Sequence, residues 1–557
     1  MKTKNLFTIF PILIAGFLFR LFLLKYHWVI GFDEVHYVRL GLSAVQNGFS
    51  GMLHPYWPPF YPALIGLLSV LIKDGELAAR ILNILVSLIS VYMIYRLAKE
   101  CISERIALLA AFAFAFYPPL AFDSTTALAE TVYTALGLAG IWSGWLAIKK
   151  RSLWYGFLVG IFSGCAYLTK PEGVHYVMVF VGIVAVIFLL QIKKKQFKLT
   201  AIIATSLLGF FICSLPYLVY VKNQMGMWTL SMKFQVNQQF SALSLSKDKS
   251  PEARFSLTKD NKYLPTDLAY HEGNFQLLID QNTASGREKK VDIGSNLLLK
   301  KFVKNFHKVN TIGVPVALSF APFLLVVLGL FARPWDWPQI KFNSYILAYI
   351  FFWWFLAIPL FHINLRYFTP QLPLVFIWLA LGITFLKESL DVTFGNAIKS
   401  LKQIEFLKPK YLSILVTSVL LLGFSYVPEL GKIIKHEATD PDYWAEAVEL
   451  KKAGLWLKEH GGKNFRVMSE NKAVEYYAGL LDTRSSISFP IDKEFDRVLE
   501  YAHYKNVDYM VITSRYSSHL QNVEFLLEPE NAPSSLQLVY DDVAPGGIKT
   551  VIYKLVK

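Results

Sequence analysis

The sequence predicts a polytopic α-helical membrane protein that carries a C-terminal α/β domain outside the membrane. Three observations lead to this fold class. The 557 residues are 54% hydrophobic and only 17% charged, and their mean hydropathy is +0.39. Apolar runs of about 20 residues, the length that crosses a bilayer, recur through the first three quarters of the chain. Shorter apolar and amphipathic segments alternate after that, as they do in a soluble domain.

The charge pattern indicates membrane topology rather than a nucleic-acid partner. The formal net charge is +15. Lys and Arg lie mostly in short clusters between apolar runs, which is the distribution that the positive-inside rule describes. Cys101, Cys165 and Cys213 fall in or beside these runs. The cysteines therefore provide neither a disulfide framework nor a thiolate metal site.

Eleven runs are predicted to cross a hydrocarbon core of about 30 Å. The first run follows Lys2 and Lys4 and lacks a small-residue cleavage site, so we expect a retained span with its N-terminus inside. The run 60–72 is too short to cross and is expected to form a helix in the outer interface. The predicted spans cover residues 6–24, 77–96, 106–122, 128–148, 154–170, 174–192, 199–221, 311–332, 344–361, 367–386 and 411–428.

Lys and Arg placement then predicts the sidedness of a multi-pass protein of the inner (plasma) membrane. The short loops assigned to the outside contain only Arg366, with Lys170 at one edge, whereas the other clusters fall inside. We therefore expect a membrane domain over 1–430, with an outer loop at 25–76 and an outer insert at 222–310. The insert is interpreted as a lid or a plain connector with helical ends. Residues 431–557 are expected to form a domain outside the cytoplasm.

The C-terminal segment has the alternation of a small α/β domain. Five residues recur at helical spacing behind a proline at the first-turn position, namely Tyr443, Ala447, Leu450, Gly454 and Leu457 behind Pro441. The remaining predicted elements are a strand at 465–469, a helix at 492–504, a strand at 507–513 and a closing strand at 550–555.

The first candidate site is the carboxylate pair Asp33 and Glu34, in GFDEVHY just after the first span. Charged groups at a membrane boundary need protein, water or a ligand as partners. These two acids could act in catalysis. They could equally be the acidic first turn of an interfacial helix, which they would stabilise by about 0.3–1 kcal/mol.

A second acidic site lies between the third and fourth spans. Asp123 is followed by Ser and Thr residues, so it could be only a turn or cap. Glu130 lies inside an apolar helix and needs a partner or a water-filled cleft. It could contact an acceptor, or hold a divalent cation together with Asp33, although carboxylates without nearby His or Cys are a weak metal signature.

A third group is cationic and consists of Arg80, Lys170, His362 and Arg366 at the external ends of spans. A guanidinium at headgroup level can bind a lipid phosphate. Long cations at span ends also extend to the interface without any further role. Arg366 differs from the others because its short loop contains no second Lys or Arg.

The stretch HPYWPPFYP, residues 54–62, combines prolines with aromatic rings. It is interpreted either as a stiff interfacial connector with aromatic anchors or as a wall for a sugar or lipid headgroup. In the second interpretation, His54 and Tyr61 provide the polar groups.

Taken in order, these motifs resemble the GT-C glycosyltransferases. The resemblance rests on the acid pair in the first outer loop, the HP-x-x-PP-x-YP stretch, AARILN around Arg80, YPP before an acidic loop, LTKPEG, and RY-x-x-P-x-x-P starting at Arg366 and Tyr367. It covers residues 1–390 and is strongest to bacterial transferases related to protein mannosyltransferases, lipid A aminoarabinose transferase and the rhizobial galacturonosyltransferases.

This resemblance implies transfer of a sugar from a polyprenyl-phosphate donor to an acceptor on the non-cytoplasmic face, with inversion. It implies Asp33 as the general base with Glu34 in support. Arg366, Arg80 and Lys170 would contact the donor phosphate. The acceptor or sugar would contact Glu130 or Asp123, His54, Tyr61 and Tyr367. The expected partners are this lipid donor, membrane lipids and a glycan, lipid (including lipopolysaccharide) or protein acceptor.

Three alternatives stay open at this stage. An oligosaccharyltransferase shares the architecture, but the chain has only DYWAE at 442–446 where a WWDYG-type signature would be expected. A transporter or flippase would need broken helices at mid-membrane. An inactive scaffold would use only the C-terminal domain. The sequence identifies neither the sugar nor the acceptor, and it does not decide the metal requirement or the oligomeric state.

Overall fold

The computed structural model describes most of the chain, including the membrane helices, the C-terminal domain and the candidate site. The described residues are 4–191, 197–233, 255–257, 263–265, 295–313, 317–360, 363–393, 412–435, 446–481, 485–489, 495–516, 522–544 and 546–556. Pro441, Tyr443 and His362, and most of the insert at 222–310, lie outside the described residues.

The N-terminal third consists of one long helix, a loop region with two helices, and three further helices. The helices are α1 (Lys4–Leu24), α2 (Phe32–Asn47), α3 (Phe60–Ile72), α4 (Gly75–Cys101), α5 (Glu104–Ala115) and α6 (Pro118–Asp123). The 13 residues of α3 match the predicted interfacial run. A helix of this length extends only about 20 Å, less than a hydrocarbon core.

The run predicted to span at 106–122 is not one continuous helix, because the helix stops at Ala115 and restarts at Pro118. Pro118 and Pro119 lack backbone N–H groups and cannot continue the hydrogen-bond ladder. The carbonyl of Ala115 would have bonded to residue 119 and instead accepts from Arg20 Nη1 at 2.9 Å. Arg20 is fully buried in α1 and also donates from Nε to Ser124 Oγ at 3.0 Å. The buried Arg20 thus supplies the donor that the Ala115 carbonyl loses at the break.

The middle of the chain forms a second group of long helices: α7 (Glu130–Lys150), α8 (Leu153–Thr169), α9 (Val174–Leu190) and α10 (Phe197–Met225). The described part of the insert contains the antiparallel pair β1 (Phe255–Leu257) and β2 (Tyr263–Pro265), then helix α11 (Ser295–Lys308) and a π-helical turn at Val309–Gly313.

Four helices complete the membrane domain: α12 (Phe320–Phe331), α13 (Trp337–Ile350), α14 (Leu372–Thr393) and α15 (Leu412–Ile434). Helix α13 continues as a π-helix at Phe351–Ala357 and a 3-10 turn at Ile358–Leu360. Another 3-10 turn, Leu365–Tyr367, precedes α14 and carries Arg366. In the described chain, six helices are long and apolar enough to cross a membrane, and several predicted spans appear as shorter apolar helices. The chain is an integral membrane protein.

Helices α8 and α10 approach closely because small residues line their contact. Gly156, Gly160 and Gly164 repeat every fourth residue along α8. A Cβ atom built on Gly160 would lie 2.1 Å from the Ser206 carbonyl oxygen, and one on Gly209 would lie 2.5 Å from the Phe157 carbonyl oxygen. Such stripes replace the hydrophobic driving force that is absent between helices in lipid. This packing fixes the C-terminal end of α8, where Lys170 lies.

The C-terminal domain is a five-stranded mixed sheet with helices around it. Its elements are α16 (Val448–His460), β3 (Val467–Met468), α17 (Ala473–Tyr477), β4 (Ser486–Ile487), α18 (Phe495–Tyr504), β5 (Tyr509–Thr513), β6 (Leu536–Ala544) and β7 (Ile548–Leu555). The strand order is β4-β3-β5-β7-β6, with β3 parallel to both neighbours and β7 antiparallel to β5 and β6. The predicted α/β class is confirmed.

The domain core follows the predicted helix face. Ala447, Leu450, Gly454 and Leu457 are all buried on one face of α16, where Gly454 lies against α17. The strand β5 is buried along its full length, as expected of a central strand with both faces covered. This second core is separate from the cores of the membrane helices.

Replacing Gly160 with Ala should destabilise the membrane domain, because the new methyl group would overlap the Ser206 carbonyl and force α8 away from α10. Overpacking of this kind costs about 1–3 kcal/mol. The measurement is thermal unfolding of the purified chain in detergent. Gly182→Ala is the matched control, since a Cβ there meets no atom within 4 Å. Equal melting temperatures for the two variants would contradict the packing argument.

Candidate active site

The two adjacent acids at the start of α2 have different environments. Glu34 is 6% exposed, and its Oε2 accepts from the Gly31 N–H at 3.2 Å. Burial raises the pKa of the Glu34 carboxyl above its ordinary value, although Arg80 and His27 oppose this shift. The Asp33 side chain is 27% exposed. Glu34 therefore caps the helix that presents Asp33.

Asp33 belongs to a chain of alternating charges. Its Oδ2 lies 2.7 Å from Arg366 Nη1. Glu130 Oε1 lies 3.8 Å from Arg366 Nε and accepts a hydrogen bond from Lys170 Nζ at 2.8 Å. These four residues form the charge cluster. The first outer loop, the start of α7, the end of α8 and the turn before α14 thus meet on one side of the membrane domain, which agrees with the predicted relative sidedness of these loops.

Burial explains why the charges in this cluster are paired. The side chains of Lys170 and Glu130 are only 7% and 12% exposed. An isolated charge in such a place would lose most of its hydration, and a close opposite charge offsets that loss. Burial would lower the pKa of the Arg366 guanidinium, but the carboxylates of Asp33 and Glu130 raise it above its ordinary value. Arg366 is therefore a permanent cation.

The turn that carries Arg366 is held on several sides. Asn364 Oδ1 accepts from the Arg366 N–H at 3.1 Å, and Trp353 Nε1 donates to the Tyr367 carbonyl at 2.8 Å. The Tyr367 ring lies 5.5 Å from the Arg366 guanidinium and 5.6 Å from Lys170 Nζ, within cation–π range of both. The two cations are thereby fixed relative to each other before any ligand binds.

One buried donor of the cluster makes no hydrogen bond. Arg366 Nε is buried, and at 3.8 Å Glu130 Oε1 is too far away to accept from it. The guanidinium has five N–H donors in a planar fork that suits oxygen anions. The cluster can therefore accept an anion beside Arg366.

Lys233 is a site residue that the sequence analysis missed. Its Nζ lies 3.3 Å from Glu172 Oε1, and the preceding residue, Met232, donates its N–H to the Pro55 carbonyl at 3.0 Å. Burial alone would lower the pKa of Lys233, but Glu172 raises it above its ordinary value, with smaller contributions from Tyr367 and Asp33. Lys233 lies near the start of the insert, in a stretch without a local sequence motif that would indicate a site.

A layer of buried polar groups lies behind Lys170 and was also missed. His175 Nε2 lies 3.1 Å from Gln371 Nε2, and its Nδ1 lies 2.8 Å from the Glu172 carbonyl and 3.2 Å from the Tyr133 hydroxyl. A carbonyl can only accept, which assigns the imidazole proton to Nδ1 and leaves Nε2 to accept from the Gln371 amide. This network connects α7, α9 and the start of α14 under the cluster.

Arg80 lies next to the cluster but is bound to protein groups. It is 6% exposed, pairs with Glu76 at 2.6 Å, and donates to the carbonyls of His27 and Val29 at 3.1 and 3.2 Å. In this arrangement the guanidinium supports the loop that leads to Asp33. Its Nε is buried without a hydrogen-bond partner, as is that of Arg366, and the predicted phosphate contact by Arg80 stays a prediction.

Three further predicted residues lie outside the charge cluster. Asp123 is exposed at the end of α6, and its predicted role stays a prediction. His54 Nδ1 accepts from the N–H groups of Tyr56 and Trp57, both at 3.2 Å, and burial lowers the pKa of His54 to about 3. Tyr61 has no exposed surface and packs edge-on against Tyr37. These contacts stiffen the proline-rich segment 54–62, and the predicted sugar or acceptor contacts of His54 and Tyr61 stay predictions.

The residues that the structure describes do not form a metal site. Within the part of the chain that the structure describes, no group of three or more His, Cys, Asp or Glu side chains could hold an ion. Asp33 and Glu130 are each neutralised by Arg366 or Lys170, whereas a divalent cation needs uncommitted carboxylates. The predicted divalent cation stays a prediction that these contacts do not favour.

Known proteins resemble this chain in sequence over one segment and in fold over its whole length. A family model described as dolichyl-phosphate-mannose-protein mannosyltransferase matches residues 54–220. ArnT from Cupriavidus metallidurans, in a crystal structure with bound undecaprenyl phosphate, superimposes with a TM-score of 0.56 at 11% identity, covering 99% of this chain and 98% of that chain. No curated protein sequence is significantly similar.

A second similar structure is the archaeal oligosaccharyltransferase AglB from Archaeoglobus fulgidus, in complex with an inhibitory peptide and a dolichol-phosphate. It superimposes with a TM-score of 0.54 at 12% identity, covering 98% of this chain and 80% of that chain. At these identities the likeness establishes a shared fold. The chain therefore has the fold that ArnT and AglB share.

Replacing Glu130 with Ala should destabilise the chain by about 3–5 kcal/mol, because it leaves the buried Lys170 ammonium without its carboxylate. The double variant Glu130→Gln/Lys170→Met should recover most of that loss, since neither charge then remains. Denaturant unfolding in detergent measures both. Lys432→Met, which breaks an exposed pair with Glu429, is the control and should cost less than about 1 kcal/mol. A double variant as unstable as Glu130→Ala would contradict the pairing argument.

Proposed function

We propose that this chain, which has the GT-C glycosyltransferase fold, transfers a sugar from a polyprenyl-phosphate donor to an acceptor on the non-cytoplasmic face of the membrane. The observation that carries the proposal is the half-exposed Asp33 carboxylate held beside Arg366, with Lys170 one pair further along the same cluster. A base and fixed cations at one membrane edge are what such a transfer requires.

The cations support a role in binding the donor phosphate. A sugar linked to a polyprenyl phosphate carries one negative charge at the headgroup level of the membrane. Arg366 offers its unused buried Nε, and Lys170 lies within cation–π range of the same Tyr367 ring. Lys233 adds a third cation on the side of the insert. The structures of ArnT and AglB contain undecaprenyl phosphate and dolichol-phosphate respectively, which supports a lipid of this class.

Binding of the phosphate would also release the base. The Asp33 carboxylate is now paired with Arg366 Nη1. A phosphate oxygen that accepted a hydrogen bond from this nitrogen would displace the carboxylate. Asp33 could then accept the proton of an acceptor hydroxyl while the hydroxyl oxygen attacks the anomeric carbon. The bond from that carbon to the phosphate oxygen breaks, and the electron pair leaves with the lipid phosphate. Attack opposite the leaving group would invert the anomeric carbon.

The position of the cluster favours a transferase over a transporter. Glu130 begins α7, Lys170 follows the end of α8, and Arg366 lies in the turn before α14. Transporter sites of the inverted-repeat type lie near the middle of the bilayer between broken helices. Ionisable groups at the ends of several helices instead face a boundary where a lipid headgroup and a water-soluble acceptor can meet.

The oligosaccharyltransferase alternative receives no support from the DYWAE segment. Its last residue, Glu446, binds His27 at 2.8 Å and the Val29 N–H at 2.8 Å, so this carboxylate faces the first outer loop rather than an acceptor site. Residues 442–445 lie outside the described residues. The sugar and the acceptor can be found by mass spectrometry of surface glycans, lipids and glycoproteins from a strain that lacks this chain. Unchanged profiles would refute a transferase role.

Replacing Asp33 with Asn should reduce sugar transfer at least 100-fold, because an amide cannot take the acceptor proton. The measurement is turnover of the purified chain with the donor and acceptor identified from the deletion strain. Asp74→Asn is the matched control. Asp74 caps α4 through the Leu77 N–H at 2.9 Å, and Asn caps a helix equally well. Turnover within threefold of the parent chain would exclude Asp33 as the base.

Replacing Arg366 with Ala should weaken binding of undecaprenyl phosphate at least tenfold, because the main guanidinium of the cluster is lost. A binding titration in detergent, with this lipid as the probe, measures the change. Arg333→Ala removes a cation from a different helix end and should leave binding unchanged. Equal affinities for the Arg366 variant and the parent chain would refute the phosphate role.

A further inference from the structure

We infer that the C-terminal domain positions the proposed base by binding the backbone of residues 27–31, with Glu446 as the principal positioning residue. This segment, called the strap below, joins α1 to the helix that carries Asp33. The inference rests on the proposed function for its catalytic consequence. The binding of the strap itself stands on the contacts alone.

The strap has no regular structure, so its backbone groups must find partners elsewhere. They find them in side chains. The N–H groups of Trp28 and Val29 both donate to Glu446 Oε2, the latter at 2.8 Å. The Ile30 N–H donates to the Tyr477 hydroxyl at 2.9 Å, and the Gly31 N–H donates to Glu34. Four consecutive amides are therefore held by side chains, and three of these amides bind the C-terminal domain through Glu446 and Tyr477.

The carbonyl side of the strap is held from both directions. Lys451 Nζ in α16 donates to the Trp28 carbonyl at 2.8 Å. Arg80 in α4 donates to the His27 and Val29 carbonyls on the membrane side. The strap thus lies between a cation of each domain, and neither domain alone satisfies its backbone.

Side-chain contacts join the two sets of partners. Glu446 Oε1 lies 2.8 Å from His27 Nδ1, whose ring stacks on Phe122 with the centroids 4.0 Å apart. Tyr477 donates to Glu76 Oε2 at 3.0 Å, and Glu76 is the ion-pair partner of Arg80. Displacing the C-terminal domain would therefore release the membrane-side contacts of the strap as well.

The strap ends two residues before Asp33, so its position sets that of the carboxylate. Gly31 is the N-cap of α2, and Glu34 ties its N–H to the first turn of that helix. Asp33 must lie within 2.7 Å of Arg366, a residue on a separate turn. Catalytic groups tolerate displacements of only about 0.5 Å, so the two turns need a common reference. The strap provides this common reference, because Glu446, Lys451 and Tyr477 hold it in place. These three residues are called the clamp below.

The test replaces Glu446 with Ala in the full-length chain, with Glu459→Ala, an exposed acid on α16, as the matched control. Hydrogen exchange of peptides covering 27–31 should become at least tenfold faster in the Glu446 variant and remain unchanged in the control. Unchanged exchange in the Glu446 variant would overturn the clamp.

A second measurement tests the position of Asp33 through protein stability and needs no assay of sugar transfer. The effect of Asp33→Asn on the melting temperature should largely disappear in the Glu446→Ala background, because the Asp33–Arg366 pair is no longer held together. It should persist in the Glu459→Ala background. Equal effects in both backgrounds would overturn the positioning role even if the clamp exists.

Kinetics separate positioning from general damage. In the Glu446 variant kcat should fall at least tenfold while the KM for the lipid donor stays within threefold, because Arg366 and Lys170 lie on other elements. Glu446→Gln keeps one acceptor oxygen and should recover part of kcat. A fall confined to donor KM would overturn the inference. Absence of transfer by the parent chain would instead refute the proposed function and leave the first two readouts to decide the clamp.

Discussion

Charge pairing at the edge of the membrane is the constraint on which this structure depends. Glu130 and Lys170 are nearly excluded from water, and Arg366 and Asp33 are only partly hydrated, so each charge persists through an opposite neighbour. The pairs come from the first outer loop, two helix ends and a turn that are distant in sequence. Because each buried charge requires an opposite charge beside it, these pairs fix where the elements meet. It also leaves one guanidinium with an unused buried donor, so the same pairing that stabilises the fold creates a place for an anion.

Packing deeper in the bundle makes this meeting point reproducible. The glycine stripe of α8 sets the height of Lys170 against α10, and the His175–Gln371 contact joins α9 to the start of α14 below the cluster. Arg20 repairs the break that two prolines cause between α5 and α6. The Arg20 contacts and the His175–Gln371 contact satisfy buried polar groups that lipid cannot hydrate. The apolar bulk holds the helices together, and these few polar contacts determine their relative positions.

Hydropathy was enough to predict the class, the bounds of α3 and most helix positions, because span length and apolar content depend on the bilayer. The C-terminal α/β domain was predicted from the helical spacing that includes Leu450 and Leu457 and from the apolar run around Met510, and these residues are buried. Motif order singled out Asp33, Glu130, Lys170 and Arg366, which the structure brings together. It could not reveal that Arg80 binds loop carbonyls, that Glu34 turns inward or that Lys233 joins the site. Those facts depend on partners more than 40 residues away in most cases, which local patterns do not encode.

The distance in sequence between the strap and Glu446 has a consequence for biosynthesis. Some 419 residues separate His27 from this partner. At about 5–20 residues per second the ribosome needs roughly 20–80 s to span that interval. During this time the membrane helices can insert while the segment before Asp33 still lacks half of its partners. A truncated chain would thus present Arg366 and Lys170 without an ordered Asp33, and the proposed sugar transfer could begin only once translation had nearly finished.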